Sequence, residues 1–535
     1  MNLFFGKLQQ RNNDFIISDN PNSFYETEEY LVSVYGDIII NEKKNDYPAI
    51  LEYFSRYQND IVNHMEGLYY LFLYAKKEKQ LYIYQDYYTS SEILYYTQLK
   101  DTIYFSNHLQ TLLIRSNISR TLNQKNCSDF IKYGYVPGAE TLLTHVYKIA
   151  PFHMLTIHDG KISTQKIPYY FTTKSEKDGK QLWVSSLSRA IALNTPSNNT
   201  ISLPISGGFD SNYLLYYYNK NLKKKLHLFT VGGNTGIDET ENVRKIVKSY
   251  GKEQNRLTIC YTSKDMLINL PDIIWRLGGS VYERGIFLQY KLASELALSH
   301  VQDLVCGECA DQVMHEDFYH TDSQHIPLKG KKNPYDFAAY IILKKSGIML
   351  NPFGIKGHYP YLNQHFVETA ISVKALNNKT KAFHQQTCHE LFPKNISKNI
   401  HKNGGATFIH TLFQNDTEIE SFIKTIEGSV LYKTIQNSKS PEKKANFISQ
   451  GKRILLKFKH APQKLIAKIR VQKLNTLTPK YIKTEKRLRK DMVYLYLLVF
   501  EELFCFSRFD YYLTHGAESL NIYEFIHQIP QSDKS

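Results

Sequence analysis

The sequence predicts two domains of different class: a β-rich amino-terminal part, then an α/β part built on a parallel sheet with a helical end. Three observations carry this reading. Residues 1 to about 170 string together short runs of β-branched and aromatic residues: Tyr30–Ile40, Gly67–Ala75, Gln80–Asp86, Glu92–Thr97 and Thr102–Ser106. Turns rich in Lys, Glu, Asn and Asp separate them. From about residue 200, strand-like apolar runs alternate with amphipathic ones, as parallel strands joined by crossover helices do, with nucleotide at the carboxyl ends of the strands. Between the two parts, residues 172–180 are polar and turn-like, and the domain boundary is placed there.

The α/β elements follow in order. Ile201–Ile205 reads as a strand, Ser206–Ser211 as a glycine turn and Asn212–Lys223 as a helix. Lys225–Gly232 is a buried-strand candidate. Asp238, Glu239 and Thr240 open a helix to Tyr250, with acids in its first turn as the helix dipole prefers. Asp238 and Glu239 are read as an ordinary helix start. Arg256–Ile259 is a strand, Tyr290–Leu298 a helix, and Asp303–Cys306 a strand before Gly307. From about residue 360 the chain is mostly helical, with polar breaks near 399–406 and 435–442. No internal repeat is evident.

Composition narrows the class. At 535 residues there is room for two or three domains. No apolar run is long enough to span a bilayer, and the first residues lack a signal-peptide pattern, which argues for the cytoplasm. The six cysteines are scattered. Cys306 and Cys309 form one CxxC without a second pair, so neither a zinc site nor a disulfide framework is expected. Net charge is +15, with the basic excess greatest from Lys452 to Lys490. A solvated helical surface is the favoured reading there, ahead of an acidic-peptide site. With no recognisable RNA-binding motif, nucleic acid is disfavoured.

The turn Ser206-Gly207-Gly208-Phe209-Asp210-Ser211 carries the chemistry. Glycines let backbone approach an anion, and the next helix aims its N–H groups at it. The turn lacks the Gly-Lys-Ser/Thr ending of a Walker loop and the G-x-G-x-x-G of a dinucleotide loop. It has an acid instead. Asp210 beside bound phosphates would repel them unless a cation sat between, which implies Mg²⁺. SGGFDS resembles the pyrophosphate loop of ATP pyrophosphatases, which split ATP between the α- and β-phosphates.

Several further segments, in order, resemble the asparagine synthetase family over about residues 1–410. GECADQV (Gly307–Val313) is similar to its GEGADE motif, and YPYLNQHFVE (Tyr359–Glu368) to its P-F-L-D segment. Residues Met65–Tyr96 and Tyr133–His153 resemble two stretches of its glutaminase domain. The resemblance implies an amidotransferase-type β-sandwich at 1–175, an α/β parallel-sheet ATP-pyrophosphatase domain at 185–410 and a basic helical extension at 411–535. It implies that Ser206, Gly207, Gly208 and Ser211 cradle pyrophosphate and that Asp210 and Asp311 hold Mg²⁺. Val231, Gly232 and Gly307 would line the adenosine pocket of ATP. Glu308 stands where the family has a catalytic acid–base residue.

The chain also departs from the pattern. The family's glutaminase uses a cysteine at the mature amino terminus, and position 2 here is Asn2, whose amide nitrogen is no nucleophile. The N-G-E-I-Y-N segment reads Tyr35 to Ile40. An inactive glutaminase domain is therefore expected. The P-F-L-D acid is Asn363. The family's catalytic lysine aligns with His401 without a gap or, one place later, with Lys402; Lys402 is favoured as a permanent cation for the developing oxyanion. These departures resemble the lasso-peptide cyclases (macrolactam synthetases), which adenylate an Asp or Glu side chain of a precursor peptide and let its own α-amine attack. The expectation is an AMP-forming amide ligase using ATP and Mg²⁺ on a precursor peptide, with a leader peptidase as a partner. The alternative is an ammonia-dependent, asparagine synthetase-like enzyme acting on an amino acid or sugar acid.

Overall fold

The structure, a computed structural model, describes residues 5–9, 14–18, 24–86, 92–150, 153–167, 179–221, 224–233, 239–252, 256–283, 285–314, 340, 342–377, 380–397, 399–400, 413, 416–437, 479–506 and 508–529. In chain order the amino-terminal strands are β1 (Phe5–Gln9), β2 (Asp14–Ser18), β3 (Tyr25–Glu26), β4 (Tyr30–Ile40), β5 (Lys43–Lys44), β6 (Glu66–Ala75), β7 (Gln80–Gln85), β8 (Tyr95–Leu99), β9 (Thr102–Ser106), β10 (Tyr147–Lys148), β11 (His153–His158) and β12 (Lys161–Lys166). They form two sheets, one ordered β10-β8-β9-β1-β2 and one ordered β12-β11-β7-β6-β4-β3, with β5 paired to β4. The pairings described are antiparallel.

Residue alternation builds the sandwich. In β6, Tyr70 and Phe72 face the other sheet and pack with Leu81, Ile83, Ile103 and Phe105. Tyr69, Leu71 and Leu73 face the opposite way, toward Ile50 and Phe54 of the helix Tyr47–Tyr57. The strand is thus apolar on both sides, which is why it reads as a continuous run and not as a polar–apolar alternation. That helix, and those at Leu109–Ser116 and Gln124–Tyr133, were not legible among the β-like runs. Asp46 caps the first of them by accepting from Ala49 N at 3.3 Å. Glu92–Thr97 is a strand only from Tyr95. The backbone before it is bound to side chains instead: Leu94 N donates to the Tyr70 hydroxyl, and Glu92 O accepts from the same hydroxyl and from Lys344.

The second half holds a five-stranded parallel sheet of β13 (Thr200–Pro204), β14 (Lys225–Gly233), β15 (Arg256–Tyr261), β16 (Asp303–Val305) and β17 (Lys356–His358). Its order is β15-β14-β13-β16-β17. The chain runs outward one way from β13 and then restarts on its other side at β16, so a crevice opens where the strand order reverses, at the carboxyl ends of β13 and β16. Helices Gly179–Leu193, Phe209–Asn221, Ile286–Leu298, Gln364–Asn377 and Thr380–Leu391 surround the sheet. The helix Pro479–Phe504 runs through the interior, with Met492 to Phe500 buried and Tyr496 stacked on Phe130 at 5.2 Å. The described part of the carboxyl-terminal third is therefore core-forming. Of the basic stretch 452–490, residues 452–478 lie outside the described residues. Among the described residues no helix is long and apolar enough to cross a membrane.

The two halves share one apolar core, running from Ile93–Val146 of the first into the second. Two carboxylates organise the junction. Glu66 accepts from both terminal nitrogens of Arg189, at 3.0 and 3.1 Å, and from Asn363 Nδ2 at 2.6 Å. Glu92 is buried and accepts from Tyr35, from Asn107 at 2.7 Å and from Asn351 across the junction. Burial pushes the Glu92 carboxyl up to about 7, with the donors from Tyr35, Asn107 and Asn351 and the nearby Lys344 charge pulling the other way.

Two predictions follow from this junction. Asn363→Asp replaces a donor to Glu66 with a second carboxylate and is expected to cost about 1–3 kcal/mol of stability. Adding Glu66→Gln exchanges donor and acceptor and recovers much of that loss, as a double-mutant cycle by denaturant titration would show. Glu92 binds its proton more tightly folded than unfolded, so between its ordinary value of 4.5 and about 7 stability falls as pH rises. The expected drop is about 3 kcal/mol. Glu92→Gln, a stand-in for the protonated form, flattens it in urea titrations between pH 5 and pH 8.

Candidate active site

The turn after β13 sits at the mouth of the crevice, and its own side chains set its shape. Ser211 Oγ receives the Ser206 N–H at 3.1 Å, and Ser206 Oγ receives the Gly208 N–H at 3.2 Å. Asn212, fully buried, ties the turn down by donating to Ser206 O at 2.9 Å and Gly208 O at 2.6 Å. The Gly207 N–H points outward and is taken by the Glu239 carboxylate at 2.9 Å. A carboxylate thus occupies a place where the turn receives an oxyanion. Glu239 is at a helix start, as read from sequence, at the N-cap of the helix Thr240–Ser249, and it is also buried beside the turn. Asp238 lies outside the described residues.

Asp210 opens the helix Phe209–Asn221 and is buried; Asp311 opens the short helix Ala310–Val313 and is more exposed. One oxygen of each converges on Lys381 Nζ, Asp210 Oδ1 at 2.5 Å and Asp311 Oδ1 at 2.9 Å. Two carboxylates drawn to one positive charge fit a cation site. Mg²⁺ in particular takes one or two carboxylates and fills its shell with substrate phosphates and water. Burial pushes the Lys381 ammonium down, but the charges of Asp210 and Asp311 outweigh it and hold the ammonium above its usual range.

A relay beneath fixes Asp210. Trp183 Nε1 donates to His384 Nδ1 at 3.3 Å, which leaves the hydrogen of the neutral ring on Nε2, 3.5 Å from Asp210 Oδ1. Burial, and then the Lys381 charge, hold His384 far below its ordinary range, so it faces Asp210 as a neutral donor. Tyr361, from the YPYLN segment, donates to Asp210 O at 2.9 Å. Lys381, His384 and Trp183 were missed from sequence. Lys381 and His384 are three apart on one helix face, but no motif marks them.

The turn after β16 packs directly on the start of the helix Phe209–Asn221. A Cβ on Gly307 would lie 3.3 Å from Ser211 N, so a larger residue would push the two turns apart by a few tenths of an ångström. Cys309 has φ +67°, the left-handed region that favours the glycine of GEGADE at this place, so it sits there under strain. Glu308 is half-buried and lies in the field of Lys345, whose ammonium is held above its usual range against burial by Glu283, 3.2 Å away, and then by Glu308. Val231 and Gly232 end β14, paired with Ile259 and Cys260 of β15, beside the β13 turn. Ser206, Gly207, Gly208, Asp210, Ser211, Val231, Gly232, Gly307, Glu308 and Asp311 therefore lie around the carboxyl ends of β13, β14 and β16. Asn2, His401 and Lys402 lie outside the described residues. Asn363, at the place of the family acid, caps the helix Gln364–Asn377 by accepting from Phe366 N at 3.2 Å while it donates to Glu66.

Comparison with known proteins agrees with this layout. Residues 41–170 match a glutamine amidotransferase domain family, and residues 183–332 match the asparagine synthase family. The glutamine-hydrolyzing asparagine synthetase 1 of Bacillus subtilis (strain 168) is 24% identical over 275 residues, 50% of this chain and 42% of that protein. Asparagine synthetase 3 of the same organism is 20% identical over 301 residues, 51% of this chain and 47% of its own. The chain thus spans less than half the length of the curated relatives it matches. Among solved structures, an allosteric regulatory enzyme of purine biosynthesis aligns over 47% of this chain and 64% of its own at 8% identity, with a TM-score of 0.20, too low to carry weight. A match to a glutamine amidotransferase domain family thus precedes a match to the asparagine synthase family, and over about half its length the chain is similar to glutamine-hydrolyzing asparagine synthetases.

Proposed function

We propose that the protein is an ATP- and Mg²⁺-dependent, AMP-forming amide ligase that adenylates a carboxylate and couples it to an amine. The observation that carries this reading is the convergence of Asp210 and Asp311 on one positive charge beside an anion-receiving glycine turn. A carboxylate oxygen of the substrate attacks the α-phosphorus of ATP, and the bond to the β-phosphate bridging oxygen breaks to release pyrophosphate. The amine nitrogen then attacks the acyl carbon, AMP departs, and the amine proton is lost. In this reading the turn 206–211 binds the leaving pyrophosphate through its N–H groups, and Asp210 and Asp311 hold the metal. When bound, Mg²⁺ neutralises phosphate charge and steadies the departing pyrophosphate. Glu308 orients the amine and takes its proton. Lys402 steadies the developing oxyanion.

Macrolactam formation on a precursor peptide, with a leader peptidase as partner, is the substrate reading we prefer. It rests on the Asn363, Asn2 and Lys402 departures. The relatives' names favour the second reading equally well: ammonia-dependent amidation of an amino acid or sugar acid. In either case we propose that the amino-terminal domain does not hydrolyse glutamine. Tyr35 stands where the family has the asparagine of N-G-E-I-Y-N, and its hydroxyl is committed to Glu92.

The test is ATP–pyrophosphate exchange across peptides carrying an α-amine and an internal Asp or Glu, and across amino and sugar acids with ammonium. Exchange with peptides, and loss of one water from them by mass spectrometry, supports the first reading; exchange only with small acids supports the second. Asp210→Ala and Asp311→Ala should each lower AMP release by about a hundredfold or more; near-wild-type release would remove the metal assignment. Glutamine incubated with the purified protein should give no glutamate above the blank, and steady release would refute the inactive-domain reading.

A further inference from the structure

The geometry around Asp210 points to a second role for Lys381. We propose that Lys381 is an exchangeable counter-ion: it holds Asp210 and Asp311 when no divalent cation is bound, and yields them to the metal that arrives with the nucleotide. This rests on reading the two acids as the metal-binding pair.

Lys381 Nζ sits on the two oxygens that a shared metal would need, Asp210 Oδ1 and Asp311 Oδ1. An ammonium and a divalent cation cannot occupy one place, since like charges repel at that range. Lysine can leave. Its stem is flexible and its side chain is 27% exposed, so solvent or a phosphate can receive the charge. His384, another group near Asp210, cannot: it is fully buried and bound to Trp183. Glu239 does the matching job for the anion by holding the Gly207 N–H. Both charges of a metal–phosphate pair are therefore imitated by side chains of the chain itself. The consequence is an order of events. Metal alone must displace a doubly bonded ammonium with nothing to offer it, whereas metal with nucleotide brings a phosphate that becomes the new partner of Lys381.

The experiment uses Mn²⁺ alone, without nucleotide, followed by the electron paramagnetic resonance of the free ion on the full chain. Lys381→Met keeps the stem and removes the charge. It should bind Mn²⁺ about tenfold or more tightly than wild type, while Lys381→Arg stays close to wild type. Equal or weaker Mn²⁺ binding by Lys381→Met overturns the proposal. Should Lys381→Met fold only with MnCl₂, the metal is replacing the lysine and the proposal stands; failure to fold in either condition makes Lys381 structural and overturns it. Asp311→Asn added to Lys381→Met separates the two readings. It should abolish the gain, and an undiminished gain would place the Mn²⁺ elsewhere and sink the metal assignment itself.

Discussion

Two carboxylates brought against one another at the head of a crevice are unstable unless a positive charge joins them. That constraint organises the second half of the chain. Asp210 is buried and Asp311 is not, so the repulsion cannot be relieved by water on both sides. The chain answers with Lys381 and supports the arrangement from below. Trp183 fixes the tautomer of His384, His384 faces Asp210 as a neutral donor, and Tyr361 holds the Asp210 carbonyl. Trp183, Tyr361 and the helix that carries both Lys381 and His384 are separate elements, so the charge pattern depends on the packing of the whole unit. The parallel sheet makes that packing possible by delivering the 206–211 and 307–311 turns to the same end, close enough that a Cβ at 307 would crowd Ser211.

In the proposed reading the same site accepts an anion and a cation together. The Gly207 N–H, not used within the turn, is costly to leave unpaired, and so are converging acids. Glu239 satisfies the first and Lys381 the second. Both are charged, whereas Asn212, bound to the turn's own carbonyls, is neutral. The groups that shape the turn from within are neutral, and those that meet it and Asp210 from other elements are charged.

Much of this was legible in the sequence, and the remainder was hidden for identifiable reasons. Tyr30–Ile40, Thr102–Ser106 and the β13–turn–helix unit were readable because local pattern and tertiary role agree there. The turn residues and Asp311 were readable because a motif ties residue type to spacing. Lys381 was not, since a lysine on a helix looks like a solvated one until its partners are in place. The helix start at Glu239 was legible, but its bond to Gly207 was not, because an acid at a helix start is what the dipole prefers anyway and leaves no separate trace. The helices of the amino-terminal half were lost among aromatic residues with high strand preference, because burial against the sheet and not intrinsic propensity makes them helical.

The junction bears on why an amidotransferase domain stays attached whether or not it acts on glutamine. Its helices at 109–116 and 124–133 do not merely touch the second half of the chain. They share an apolar core with it, including the long carboxyl-terminal helix through Phe130 and Tyr496. Removing the domain would expose that surface. It would also strip the partners from Arg189 and Asn363, and Asn363 caps the helix one turn beyond Tyr361, which in turn bonds Asp210. The path from Glu66 to the metal-binding candidate Asp210 is therefore short and made of buried groups. The contacts of Glu66 and Glu92 therefore tie the packing of the amidotransferase-like domain to that of the second half, and loosening that surface would loosen both.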